Sequence, residues 1–247
     1  MPSWLQPYGV FQAAAVIVCV WLTHRALVRR GSGLLDRPGL ILAVLLGAAL
    51  GGRLHVLLEG RFLRGLSWDE LVSLLHPLSG GSAFFGAMGG VVLVLWLGRR
   101  HLPTGGWRGL SDAAVLGAGW GIFLGRLGCL RQGCCLGHPL ATSNPLNSAL
   151  RALLPEWHGL WACQPLPLWL GLWALASAYL ASRVRRPRAA GERFLTFVGL
   201  FSLGRFGLEF LRWDPGWRFP LNVAQLESLG LILAVTVLLH RASASGS

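Results

Sequence analysis

Seven stretches of mostly apolar residues, separated by short polar segments, follow one another along the chain. A helix that crosses the hydrocarbon core of a bilayer needs about 20 such residues. The third and fifth stretches are short, and the others come close to this length. The pattern predicts an all-α, polytopic integral membrane protein with seven transmembrane helices, at about 8–28, 39–58, 83–98, 112–130, 166–182, 194–211 and 221–240. No soluble domain fits between them, so we expect one membrane domain over residues 1–247.

Composition and charge support a membrane protein and indicate its orientation. Hydrophobic residues make up 53% of the 247 and charged residues 13%, about half the charged share of a soluble domain. The net charge of +12 comes from arginines, of which thirteen lie in one set of alternate connections and six in the other. Cytoplasmic loops are enriched in basic residues. We therefore expect the N-terminus outside, the C-terminus in the cytoplasm, and an extracytoplasmic loop region at 131–165. Sorting by membrane side explains the charge without a nucleic-acid partner.

Three arginines, Arg53, Arg126 and Arg205, lie inside predicted spans, each in the outer half. An arginine within a membrane is costly and is by default a functional hypothesis. Glu209 follows Arg205 by one helical turn, and Glu227 opens the last span on the same side. Guanidinium groups bind phosphate in a bidentate manner, so the cluster suits an anionic lipid phosphate. The alternative is that these arginines snorkel to the interface or form structural ion pairs.

Pairs of glycines four residues apart recur in the spans and predict close helix packing. These glycines are Gly47 and Gly51, then Gly86 and Gly90, and then Gly117, Gly121 and Gly125.

Residues 125–138 contain three of the five cysteines and leave the fourth span on its outer side. One interpretation is a metal site made by Cys129, Cys134, Cys135 and His138. A second is a cysteine nucleophile activated by Arg126 and Arg131. A third is a structural disulfide between Cys134 or Cys135 and Cys163, since the compartment is oxidising. The disulfide, or simple packing, is the interpretation that we favour.

Several of these segments resemble the prolipoprotein diacylglyceryl transferase family, over about residues 8–238. The matching segments are Tyr8-Gly9, Gly51-Gly52-Arg53, the glycine-rich residues 80–90, Ser111-Asp112, Gly125-Arg126-Leu127-Gly128 with Gly133 and Gly137, residues 204–212, and residues 221–228 with Gln225. The chain departs from the family's pattern at four positions. Phe85 stands at the position of the catalytic His, Cys129 at that of the signature Asn, Cys134 at that of the signature Glu, and His138 at that of the following Arg.

The resemblance implies a multi-pass enzyme of the bacterial inner membrane. It would move diacylglyceryl from phosphatidylglycerol to the lipobox cysteine thiol of a prolipoprotein, without a cofactor or a metal. Arg126 and Arg205 would hold the phosphate, and Glu209 or Cys134 would take the thiol proton. The remaining candidate substrate contacts are Arg53, Phe85, Gly86, Cys129, Gly137, Arg212 and Gln225.

Two other functions fit the same scaffold. The cysteines could serve a membrane thiol–disulfide or metal-handling protein. Phe85 at the histidine position suggests a non-catalytic lipid-binding paralogue.

Overall fold

The computed structural model describes residues 7–64, 84–99, 102, 106–140, 144–145, 148, 163–184, 190–213 and 221–244. These residues are helical, with two isolated antiparallel backbone bridges and no β-strand among them. The helices are α1 (Pro7–Val28), α2 (Pro38–Arg64), α3 (Phe84–Leu97), α4 (Gly106–Gln132), α5 (Leu166–Ser182), α6 (Glu192–Leu208) and α7 (Val223–Ala244). A 3₁₀ turn, Glu209–Leu211, continues α6. Each predicted apolar stretch coincides with one helix, which confirms the all-α prediction. Most of the predicted loop at 131–165 lies outside the described residues.

Five of the helices, α1, α2, α4, α6 and α7, are long and apolar enough to cross a membrane. Helices α3 and α5 are apolar but shorter, with 14 and 17 residues. Exposed leucines recur every four residues along α2, at Leu42, Leu46, Leu50 and Leu54. Such a strip would be unfavourable in water and suits contact with lipid chains. The protein is therefore a helical, polytopic membrane protein, and the count of seven spans stays a prediction.

The chain forms two compact units, and the smaller one comprises Thr23–Ala113. In this unit α2 packs closely on α3 through the predicted glycine pairs. A methyl group on Gly51 would collide with the carbonyl oxygen of Gly86, and one on Gly90 with that of Gly47. The packing role predicted for these four glycines is confirmed.

The larger unit comprises Met1–Leu22 and Ala114–Ser247. Here one face of α4, at Gly121, Gly125 and Gly128, lies against α1. The α1 residues nearest to these glycines are Cys19, Gln12 and Phe11, in that order. Helix α6 contacts both α5 and α7. These contacts hold α4 and α6, whose C-terminal ends carry the candidate site.

Two helix starts in the larger unit follow from local backbone chemistry. Helix α5 begins after Pro165 and has Pro167 in its first turn, where no intrahelical N–H donor is needed. Helix α6 follows Gly191, whose φ of 95° is a left-handed conformation that glycine adopts without strain. Both helices therefore begin where the apolar pattern placed them, within two residues.

Candidate active site

Arg126 lies on a turn of α4 that packs closely on α5. A methyl group at Gly171 of α5 would lie 2.9 Å from Cδ2 of Phe123 and 3.5 Å from Cβ of Arg126. The missing side chain at Gly171 therefore lets the two helices approach at this turn. The close contact fixes the backbone from which the Arg126 guanidinium extends.

Arg205 and Glu209 lie one turn apart at the end of α6, and both are buried, with 7% and 4% of their surface exposed. Arg205 interacts electrostatically with Arg126, Arg212, Glu209 and Glu227. Three guanidinium groups and two carboxylates thus share one region of the larger unit. If all five are ionised, positive charge exceeds negative by one. Arg126 and Arg205, two of the three arginines expected to meet at one depth, therefore interact across α4 and α6.

The third arginine of this cluster is Arg212, whereas the sequence predicted Arg53. Arg53 is half-buried on α2 in the smaller unit. Its place beside Arg126 stays a prediction, as do the roles of Phe85 and Gly86 in the same unit. The Phe85 side chain lies outside the described residues. The structure shows Gly86 as a helix-packing residue against Gly51 and His55.

An ion pair holds Arg212 in place. Its Nη1 donates to Oε1 of Glu209 at 2.9 Å, and the Glu209 side chain is only 3% exposed. The same oxygen accepts from Nδ2 of Asn222 at 3.5 Å. Glu209 therefore ties the end of α6 to the beginning of α7.

Asn222 and Gln225 form a reciprocal cap at the N-terminus of α7. The Gln225 backbone N–H donates to Oδ1 of Asn222 at 2.9 Å, and the Asn222 N–H donates to Oε1 of Gln225 at 3.0 Å. This is a capping box with amide side chains. Gln225, predicted as a substrate contact, thus has its amide oxygen engaged in a helix cap.

Backbone hydrogen bonds connect the segment after α4 to Arg212. The His138 N–H donates to the Leu211 carbonyl at 2.8 Å, and the Trp213 N–H donates to the Leu136 carbonyl at 3.2 Å. Between them, Gly137 forms a bridge with Arg212. A methyl group on Gly137 would lie 2.7 Å from the Leu211 oxygen, so glycine permits this approach.

The cysteines at the end of α4 form a cluster of thiols. All five cysteines are free, and Cys129, Cys134 and Cys135 are joined by side-chain hydrogen bonds. Cys135 has a φ of 59°, a left-handed conformation that is uncommon outside glycine. The cluster exists because this turn brings Cys134 and Cys135 back towards Cys129, whose carbonyl accepts from both the N–H and the thiol of Cys134.

The thiols of the cluster differ in their tendency to ionise. Cys129 and Cys134 donate hydrogen bonds to Cys135, and together with the positive charges of Arg126 and Arg212 they lower the pKa of Cys135 to about 2. Hydrogen bonding with Cys129 and Cys135, together with burial, raises the pKa of the Cys134 thiol above its usual range. Ionisation is therefore less unfavourable at Cys135 than at Cys134.

The prediction of a disulfide between Cys163 and Cys134 or Cys135 is wrong. Cys163 is a free thiol that lies in a backbone bridge with Pro139. The physical reason is the turn at Cys135, which directs Cys134 and Cys135 towards Cys129. In the described ranges, no group of three His, Cys, Asp or Glu side chains is arranged to hold a metal ion. The ring of His138 packs edge-on against Trp213, with ring centroids 5.4 Å apart.

Two residues near the cluster were not among the predicted site residues. Tyr8 of α1 hydrogen-bonds to Gln12 and interacts electrostatically with Cys129, Cys134 and Arg126. Asn222 contacts Glu209, as described above. The signal for Tyr8 in the sequence is its place in the Tyr-Gly pair with which the family begins. The signal for Asn222 is an Asn-x-x-Gln spacing, which is typical of a helix cap.

A cavity of about 550 Å³ opens between α5 and α6. Three of its wall residues, Gly204, Gly207 and Leu208, lie on the two turns of α6 that also carry Arg205. Its other walls come from α5 and are mostly aromatic and apolar: Trp169, Leu172, Trp173 and Ala176. The size and apolar walls of the cavity suit a hydrocarbon chain.

The fold and this site define a polytopic helical membrane protein with an arginine cluster beside free thiols. A family model described as prolipoprotein diacylglyceryl transferase matches residues 2–241 of the chain. A Dehalococcoides mccartyi protein named phosphatidylglycerol–prolipoprotein diacylglyceryl transferase is 30% identical over 251 residues, which cover 95% of this chain and 88% of the relative. Relatives of the same name are 30% identical in Geobacter sulfurreducens, covering 93% and 90%, and 28% identical in Escherichia fergusonii, covering 96% and 87%. The chain belongs to the prolipoprotein diacylglyceryl transferase family.

Proposed function

We propose that this protein transfers the diacylglyceryl group of phosphatidylglycerol to the thiol of a lipobox cysteine in a prolipoprotein. The observation that carries the proposal is the convergence of Arg126, Arg205 and Arg212. A lipid phosphodiester has one negative charge, which matches the surplus positive charge of this cluster. Planar guanidinium groups can bind its oxygens in a bidentate manner. Family membership supports the same donor and acceptor.

The reaction forms one bond and breaks another. The acceptor sulfur attacks the glyceryl carbon next to the phosphate, a C–S bond forms, and the C–O bond to the phosphate breaks. The electron pair leaves with the phosphate oxygen, and glycerol phosphate is released. Arg126 and Arg205 stabilise the charge that develops on this oxygen, an effect that is large in a site with little water.

Glu209 and Asn222 act as positioning residues in this proposal. Glu209 directs one edge of the Arg212 guanidinium through the 2.9 Å ion pair and so sets the direction in which the fork would meet the phosphate. Gly137 acts through the backbone bridge that fixes Arg212. Arg53, Phe85 and Gly86 remain proposed substrate contacts from the smaller unit.

The cavity between α5 and α6 would hold an acyl chain of the donor lipid. Lipid tails are as apolar as the cavity wall, so moving a chain from bilayer to cavity contributes little affinity. Its contribution is to place the glyceryl carbon at a fixed distance from Arg205. A phosphate held by arginines and a chain held by the cavity would leave the reacting carbon between them.

We also propose seven transmembrane spans, with the N-terminus outside and the C-terminus in the cytoplasm, in a bacterial inner membrane. The distribution of arginines supports this orientation. It places the arginine cluster and the free thiols in the outer half of the membrane, close to the phosphates of the outer leaflet.

The purified full-length chain in liposomes provides a direct test. It is incubated with a lipobox peptide and either phosphatidylglycerol or phosphatidylcholine, and the peptide is then analysed by mass spectrometry. We expect a diacylglyceryl adduct on the cysteine with phosphatidylglycerol and at least tenfold less with phosphatidylcholine. Bound phosphatidylglycerol without any adduct would contradict the proposal and favour a lipid-binding paralogue.

A further inference from the structure

Helix α5 contacts both of the helices that carry Arg126 and Arg205, α4 on one face and α6 on the other. We propose that α5 is a spacer that sets the distance between these two guanidinium groups. Gly171 is its contact to α4 and Trp173 its contact to α6, and both act as positioning residues. The inference rests on the part of the proposed function in which Arg126 and Arg205 hold one phosphate.

The face of α5 towards α4 consists of small residues. Gly171, Ala174 and Ala178 are spaced three and four positions apart, so they lie on one side of the helix, and all three are buried. A methyl group on Gly119 of α4 would collide with Ala178 and lie 3.1 Å from the carbonyl oxygen of Ala174. Side chains of this size let two membrane helices approach closely. Small residues therefore set a short distance between α4 and α5.

Gly171 places this contact at the turn of Arg126. A methyl group at Gly171 would lie 2.9 Å from Cδ2 of Phe123, 3.3 Å from Cα of Phe123 and 3.5 Å from Cβ of Arg126. The Cα of Phe123 belongs to the backbone, which cannot turn aside as a side chain can. A side chain at position 171 would therefore push away the turn from which Arg126 extends.

The opposite face of α5 contacts α6 through a large residue. Trp173 follows Gly171 by two positions, which corresponds to about 200° around the axis of an α-helix. A methyl group on Gly204 of α6 would collide with Nε1, Cδ1 and Cε2 of the Trp173 indole. The ring thus lies on the backbone of the residue that precedes Arg205. On this side the size of an indole ring sets the separation of the two helices.

A hydrogen bond keeps the indole in this position. Nε1 of Trp173 donates to the carbonyl oxygen of Leu200 at 2.8 Å, one turn before Gly204. A carbonyl oxygen has two lone pairs, so it can accept this bond inside a helix. If the ring moved away, the indole N–H would lose its partner in apolar surroundings, which is unfavourable. The contact is therefore fixed in its position along α6 as well as in its distance.

These two contacts explain how Arg126 and Arg205 are kept together on different helices. The two guanidinium groups carry like charges that act on each other, and Arg205 is buried. Since like charges repel, the packing of the helices has to hold them in place. Both groups can bind the oxygens of one phosphate only at a suitable separation, and a displacement of about 1 Å can cost about 10²-fold in rate. Helix α5 supplies that separation.

Gly171→Ala is the main test, because Gly171 lies on the face of α5 opposite to Trp173, which lines the cavity. We expect the affinity of the full-length protein in detergent for a short-chain phosphatidylglycerol to fall by at least about tenfold. The same substitution made in Arg126→Lys should lower the affinity by less than about threefold. Lysine keeps the positive charge, so binding stays measurable, but its ammonium group lacks the bidentate geometry that depends on position. Gly230→Ala, which has open space for its methyl group, is the control and should leave the affinity unchanged.

Trp173→Phe provides a second variant, on the other face of α5. Phenylalanine keeps an aromatic ring, but the ring is smaller and has no N–H for the Leu200 carbonyl. We expect the affinity to fall by at least about fivefold, and by less than about twofold when the substitution is made in Arg205→Lys. Trp173 also lines the cavity, and a loss caused by the cavity alone would be the same in both backgrounds. Trp21→Phe, half exposed on α1, is the control.

The comparison of backgrounds separates a positioning role from a purely structural one. A general loss of packing would lower the affinity by the same factor with and without the lysine substitution, and that result would overturn the inference. An unchanged affinity in both Gly171→Ala and Trp173→Phe would also overturn it. Each variant is compared with its own background, so the failure of one to fold leaves the other as a complete test.

Transfer to a lipobox peptide, measured on the same samples, separates the spacer from the proposed function. If the unmodified protein binds phosphatidylglycerol with the expected coupling but transfers no lipid, the proposed function fails and the spacer remains. If the lipid is transferred and the coupling is absent, only the spacer fails. If the unmodified protein does not bind phosphatidylglycerol, both fail.

Discussion

Glu209 and Arg212 form an ion pair across one turn, with Oε1 of the glutamate 2.9 Å from Nη1 of the arginine. The glutamate is buried, and the arginine side chain is a quarter exposed. The pair lies at the end of α6, next to the residue that precedes α7 and to the segment that follows α4. One carboxylate therefore links the end of α6 to the beginning of α7 and offsets part of the positive charge of the cluster.

Glu209→Gln should keep most of this geometry and remove the charge. The amide oxygen can still accept from Arg212 and Asn222, but of the two carboxylates that act on Arg205 only Glu227 then keeps its charge. We expect a loss of about 1–3 kcal/mol in the free energy of unfolding, less than for a fully buried pair because Arg212 is partly exposed. The measurement is chemical unfolding in detergent. Glu192→Gln, at the other end of α6, is the control, and equal losses in both variants would contradict a special role for Glu209.

Arg126→Ala and Arg205→Ala should each lower the rate of lipid transfer by a factor of at least about 10³. Each variant loses a guanidinium group that binds the phosphate and also stabilises the charge that develops on it in the transition state. Arg205→Lys should recover little, since an ammonium group cannot reproduce the bidentate geometry. Initial rates with phosphatidylglycerol liposomes and a lipobox peptide measure this. The matched control is Arg108→Ala, at the exposed other end of α4. An unchanged rate in Arg126→Ala or Arg205→Ala would show that the substituted arginine is not part of the site.

The helices and part of the site could be predicted from the sequence because both depend on local pattern. Apolar runs predicted seven helices, and glycine spacing predicted the contact between α2 and α3. Arg126 and Arg205 could be paired because each lies at a similar depth in its span. Such arguments need only the helical repeat and the thickness of the bilayer.

The remaining part of the site depends on contacts between distant segments and was missed for that reason. Arg212 joins the cluster through a backbone bridge to Gly137, 75 positions away in sequence. The return of the chain towards Cys129 after α4 depends on a left-handed turn at Cys135 that no periodicity indicates. The Asn222–Gln225 cap could have been recognised from its spacing, but it was interpreted as a substrate contact.

Gly137→Ala should weaken the connection between Arg212 and the cysteine segment. The added methyl group would lie 2.7 Å from the Leu211 oxygen and 2.8 Å from Cβ of Gln164. The backbone around Gly137 or around these two residues must therefore shift. We expect a destabilisation of about 1–3 kcal/mol together with lower transfer. Thermal unfolding and initial rates are measured together. Gly230→Ala on α7, where nothing lies within 4 Å of the new methyl group, should be neutral or stabilising by up to about 1 kcal/mol. If Gly137→Ala behaved like Gly230→Ala, the bridge would not constrain the site.

Gly207→Leu should obstruct the cavity between α5 and α6 without distorting the helix. A side chain at Gly207 meets nothing within 4 Å, and Gly207 lines the cavity, so a leucine there would extend into the space proposed for an acyl chain. We expect transfer from long-chain phosphatidylglycerol to fall by about tenfold or more, which corresponds to about 1.4 kcal/mol. Transfer from a short-chain phosphatidylglycerol should fall less than about threefold, because its chains need not fill the cavity. Initial rates with the two lipids give the ratio, and Gly230→Leu, on the exposed surface of α7, should leave it unchanged. A ratio that stays constant in Gly207→Leu would show that the acyl chain binds elsewhere, whereas the arginine cluster would keep its role.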